Sequence, residues 1–177
     1  MKKLTILTFV AAMMIMISSV ASAQTATGTL TVTATVNSSI NLVFNNDAAG
    51  VALSSGAGTN TATLAFGNVS AFGAIGANIT RSTTATTFTV STPVDVLVSK
   101  ANSASANYTL KAQLGAADAV NTWQVGGTTV TSAALATITA TGTYASNVPE
   151  AIALTIPFTT ASATAISNTI NFTATAN

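Results

Sequence analysis

The sequence predicts an all-β protein, an antiparallel β-sandwich of about 7–9 strands. Three observations carry this. Apolar and polar residues alternate with a period of two in run after run rich in Val, Ile, Thr and Phe. No helical period follows the first residues. Turn-forming residues part the runs at a spacing typical of sandwiches and barrels.

Residues 1–23 have the layout of a signal peptide. Met1-Lys2-Lys3 is a basic start, an apolar run follows, and Ala21-Ser22-Ala23 offers small residues for cleavage. A membrane anchor is the alternative, since the run is about as long as a short spanning helix. The small-residue exit and the missing basic flank favour removal, and the lack of any cysteine rules out lipid attachment there. The expected mature chain, residues 24–177, is one exported domain of the periplasm, cell surface or extracellular space. It does not span the membrane. A lipid-spanning barrel would need aromatic girdles and a continuous apolar band; one Trp, two Tyr and seven Phe are too few.

The first mature run is the most regular. Leu30, Val32, Ala34, Val36, Ile40, Leu42 and Phe44 share one parity, with Thr, Asn and Ser between them. Asn37-Ser38-Ser39 breaks it, so residues 24–36 are either a first strand or a segment donated to a neighbour, and Ile40 opens the domain proper. Residues 87–98 place Phe88, Val90, Val94, Val96 and Val98 on one face, with Pro93 suggesting an edge or bend. Tyr108, Leu110, Ala112 and Leu114 form another face, as do Ile152, Leu154, Ile156 and Phe158. Gly126-Gly127 marks a hairpin, residues 135–144 are a further strand, and residues 116–120 have room for one helical turn. Ile170, Phe172 and Ala174 close the chain.

The chemistry is sparse. The chain has no histidine and no cysteine, which removes the commonest general base, the usual nucleophilic dyads and nearly all zinc sites. Beyond the signal peptide, Arg81, Lys100 and Lys111 face Asp47, Asp95, Asp118 and Glu150. The acids are scattered, and each reads as a surface charge. An enzyme, a cofactor and a metal are therefore not expected, and Asn45 with Asp47 lacks the regular acidic loop of a calcium site. So few cations give no grip on phosphates, so nucleic acid is not an expected partner. The Asn-x-Ser/Thr triplets at Asn37, Asn68, Asn78, Asn107 and Asn171 follow from composition. Thr29, Thr31, Thr33 and Thr35, with Thr137, Thr139, Thr141 and Thr143, would set hydroxyls about 7 Å apart. That spacing makes an ice-binding protein a remote alternative, although no short repeat stacks the ladder.

A sheet must protect its outer strands, because a bare edge recruits other chains. A long alternating ribbon at the mature N-terminus suits strand addition between subunits. Leu30, Val32, Ala34 and Val36 would supply the inserted strand, and Ile170, Phe172 and Ala174 the edge that meets it.

The chain resembles secreted pilin-like β-sandwich proteins, of the spore coat protein U type and the archaic chaperone–usher pilins. The resemblance rests on GTLTVTATV at 28–36, on Leu64-Ala65-Phe66-Gly67-Asn68-Val69, which looks like an "L-x-F-G" strand end, and on ISNTINFTATA at 166–176. It departs in having no cysteine near the first strand, and Gly142-Thr143-Tyr144 is displaced from those families' tyrosine-bearing lead-in. The resemblance implies an immunoglobulin-like sandwich lacking one strand, completed first by a periplasmic chaperone and then by the next subunit, with an outer-membrane usher. The function expected is a non-enzymatic bacterial surface or pilus-like subunit, with homo- or hetero-subunits as partners. The alternative is a monomeric secreted binding module for a carbohydrate or a surface protein, with Trp123 beside the Gly-Gly turn stacking on the ligand.

Overall fold

A computed structural model describes residues 27–177; the signal peptide expected at 1–23 lies outside the described residues. The chain divides into Met1–Thr35 and Val36–Asn177, and the sandwich belongs to the second unit. Its nine strands are β1 (Ser39–Asn45), β2 (Thr80–Thr83), β3 (Thr87–Ala101), β4 (Tyr108–Leu114), β5 (Thr122–Val125), β6 (Thr128–Val130), β7 (Ala136–Gly142), β8 (Asn147–Pro157) and β9 (Ile170–Ala176). They form two antiparallel sheets. One runs β1-β3-β8-β5-β6, with β2 also paired to β3; the other runs β7-β4-β9.

β3 is the spine. Its even positions from Phe88 to Val98 are buried without interruption, as the alternation predicts. Pro93 does not mark an edge, because β8 pairs along that whole stretch, opposite Ala151. It is tolerated because β2 reaches only to Ser91 and β1 begins only at Asp95, so no strand faces Pro93 on the other side. Here the chain makes its long excursion between β1 and β2. Fully buried Thr92 ties that excursion down: its hydroxyl accepts from the Val51 amide at 2.8 Å and donates to the Asn78 carbonyl at 2.9 Å.

The core has two parts. The larger gathers Phe88, Val90, Trp123, Val125, Leu154 and Ile156, among others. The smaller holds Val96, Val98, Tyr108 and Leu110, all fully buried, at the end where β1 starts and β9 finishes. Tyr108 packs flat over Gly142, where a Cβ would come within 2.2 Å of the ring, so only glycine fits. Gly126 and Gly127, at φ 55° and 78°, make the two-residue β5–β6 turn, both with the positive φ of a type I′ hairpin.

Several expectations need correction. Residues 116–120 form no helical turn; Asp118 organises a bend there instead, accepting from the Val120 and Asn121 amides at 3.0 and 2.9 Å. Leu64 and Phe66 pack against the core from a loop, not from a strand. Phe158 lies past the end of β8 and is 39% exposed. The threonine ladder on β7 is not flat: the register shifts between β4 and β7 break the alternation, and half-buried Thr139 is turned to an internal bond. Thr29, Thr31, Thr33 and Thr35 lie in no strand.

Candidate functional site: the seam between β1 and β9

The sandwich has two long sides where the sheets meet. On one, β1 of the larger sheet lies against β9 of the smaller. No ladder joins them, since each pairs only inward, β1 with β3 and β9 with β4. They touch through side chains: the rings of Phe44 and Phe172 meet edge to face at 5.2 Å. Leu42, Phe44, Phe172 and Ala174 form the partly covered roof of the smaller core cluster, with Leu110 and Tyr108 fully buried beneath. Ile170, Phe172 and Ala174 all alternate inward and are half-buried, as expected for an edge strand that roofs the core.

The two strands differ in how free their outer backbone is. β1 is capped near its end, where the Phe44 amide donates to the Thr59 carbonyl at 2.9 Å and the Gly58 amide to the Phe44 carbonyl at 2.7 Å. Among the described residues β9 pairs with β4 alone, along all seven residues. Its sequence INFTATA carries no charge, proline or bulge, the usual protections of an edge.

The ribbon expected to meet this edge is open to solvent. Residues 27–38 form no strand, so the domain's own first strand is β1 and not the segment before it. Leu30, Val32 and Val36 are 88%, 80% and 73% exposed, and Ala34 is exposed as well. These are the most exposed large hydrophobic side chains among the described residues.

The remaining singled-out residues are structural. Trp123 is buried, and its indole Nε1–H donates to Asp118 Oδ2 at 2.8 Å, so it offers no open face for a sugar. Burial works against ionising Asp118, but the hydrogen bonds from Asn121, Trp123 and Val120 outweigh it and hold the carboxyl at about 2. Glu150 is not a surface charge: it is 5% exposed, inside the sandwich. Burial raises its carboxyl above the usual 4.5, opposed by the Thr139 hydroxyl, which donates to Oε1 at 3.1 Å across the two sheets. The parity it shares with Ile152, Leu154 and Ile156 was the signal for this. Asp95 is half-buried opposite Asn45, and burial, then the neighbouring Asp47 carboxylate, raise its pKa. Among the described residues no three acids come together as a metal site would require.

Against protein-family models, curated proteins and solved structures, the chain finds no match.

Proposed function

We propose that this is a non-enzymatic, exported structural subunit of a bacterial surface or pilus-like assembly, built by β-strand addition. Residues 29–36 of one copy lie along β9 of another and close the seam between β9 and β1. Backbone hydrogen bonds to the free edge hold the strand, and Leu30, Val32 and Val36 leave water over Leu110, Phe172 and their neighbours. Each such side chain contributes about 1.5–3 kcal/mol on full burial.

The single observation that carries this reading is the pairing of surplus and deficit. One chain has an unpaired seven-residue edge over a partly roofed core, and an uncharged ribbon of eight residues with an apolar side facing water. Without cysteine, nothing covalent compensates for the open seam. A subunit of this kind needs its edge covered before it meets its neighbour. That is the role of a periplasmic chaperone, with an outer-membrane usher delivering the subunit.

Val32→Asp tests it. An unpaired carboxylate forced into the seam costs several kcal/mol, so multimers of the mature protein should vanish from native gels while the folded monomer remains. Multimers at the level of the unaltered protein would overturn the reading.

A further inference from the structure

The far end of the sandwich carries an aromatic cleft that the seam does not use. It has a volume of about 490 Å³ and lies between the loop after Val69 and the loop after β8. Phe72 and Phe158 stand at its mouth, 72% and 39% exposed, with ring centroids 5.9 Å apart; Phe88, Ile156 and Ile166 line it behind them. No charged side chain lines it. The Phe72 loop is held in place, since the Arg81 guanidinium donates to the Ser70 and Gly73 carbonyls at 2.8 and 2.9 Å. Exposed aromatic surface on a fixed support marks a contact surface.

Chain geometry says what covers it. Rests on the strand-addition reading, the argument has three steps. Every pairing in the sandwich is antiparallel, the more stable arrangement per residue, and a strand added to β9 follows suit. β9 runs from Ile170, beside Leu114, to Ala176, beside Tyr108, so an antiparallel neighbour ends next to Ile170. That is the end from which the β8–β9 loop and its cleft project. Finally, only Asn37 and Ser38 separate Val36 from β1. Two residues reach roughly 7 Å, so the body of the donating copy sits directly on the cleft end of the acceptor. It arrives with the end where its own β1 starts opposite Ala101, beside the exposed Ala104 and Ala106 of the β3–β4 loop. Small uncharged side chains meet an uncharged aromatic cleft.

We infer that the Phe72–Phe158 cleft is the seat for a second copy of this chain, filled by the β1-start end of the subunit whose residues 29–36 occupy the seam. The cysteine-free sequence makes the test clean. In one variant Ser38→Cys is combined with Ala161→Cys at the cleft; in a second it is combined with Ala106→Cys at the opposite end. Within one chain, Ser38 and Ala161 lie at opposite ends of β3, about 45 Å apart, so a bond between them must join two copies. Mild oxidation should give a covalent ladder from the first variant and none from the second. A ladder from the second alone would mean parallel insertion and would overturn the inference while leaving strand addition standing. Multimers on native gels with neither ladder would do the same. If the unaltered protein forms no multimers, the strand-addition reading itself fails, and the inference with it.

Discussion

The two long sides of this sandwich are closed by opposite means. On the β6–β7 side the edges are protected. β6 has three residues, and β7 is broken by register shifts against β4. The chain also binds the side shut: the Leu114 amide donates to the Thr131 carbonyl at 3.1 Å, Gln113 Nε2 to the Ser132 carbonyl at 2.7 Å, and Thr139 to Glu150. Short length and bulges deny another chain a template. On the β1–β9 side both strands have seven residues and no charge, and only side chains bridge them. The same fold has guarded one side and left the other ready to pair. The comparison teaches that the open side is a feature of this sequence and not of sandwiches in general.

The largest effect should come from filling the open side from outside. A chain lacking residues 24–36 should stay folded, and a peptide of residues 28–36 should bind it saturably. At a hundredfold excess over its Kd the peptide adds about 2.7 kcal/mol, which for a domain of this size raises Tm by about 5–10 °C. A peptide with Leu30, Val32 and Val36 replaced by Ser should leave the melting curve unmoved; equal shifts from both would erase the contrast between the sides.

Next in size is the core beneath the open side. Leu110→Ala should lower unfolding stability by about 2–5 kcal/mol in denaturant titrations, because the side chain is fully buried. A loss under about 1 kcal/mol would mean that the roof of Phe172 and Ala174 encloses no packed core.

The closed side is sharpened by Glu150→Gln. A carboxyl whose pKa is raised by folding binds its proton more tightly in the folded state. Stability is therefore greatest below the unfolded value of 4.5 and falls as pH rises through the folded one. Glutamine keeps an acceptor for Thr139 and removes the charge, so Tm should rise at pH 7 and barely change at pH 4. A fall at pH 7 would show that the charge itself holds the two sheets together.

Smallest is Asp118→Asn, remote from both sides. With the carboxyl lowered from 3.8 to about 2, its contribution is present above the unfolded value and is lost as pH falls from 3.8 towards 2. The variant should melt slightly lower at pH 7 and match the unaltered protein near pH 2.

Much of this was legible from parity alone. β3, β4, β8 and β9 were foreseen with the correct inward residues, because each is buried on one face and alternation records that directly. The Gly126-Gly127 hairpin was legible from its glycines. What parity could not supply was the excursion between β1 and β2, where Leu53, Leu64 and Phe66 reach the core from irregular backbone without a period. β2 escaped because its four residues, TRST, contain nothing apolar. Glu150 was misjudged by residue type although its parity pointed inward, and Pro93 by the habit of proline, since the gap that admits it lies between two other strands. For the seam, the ribbon and its partner edge were both visible as patterns. Their separation was not, because nothing in alternation says whether two matching strands meet within one chain.

The near-absence of charge noted at the outset has a consequence for the medium in which such an assembly works. With three cations and four anions beyond the leader, none of them on β1, on β9 or in the ribbon, Debye screening has almost nothing to act on. Contacts made this way hold alike in dilute and concentrated salt, whereas a fibre joined by ion pairs would loosen in brine.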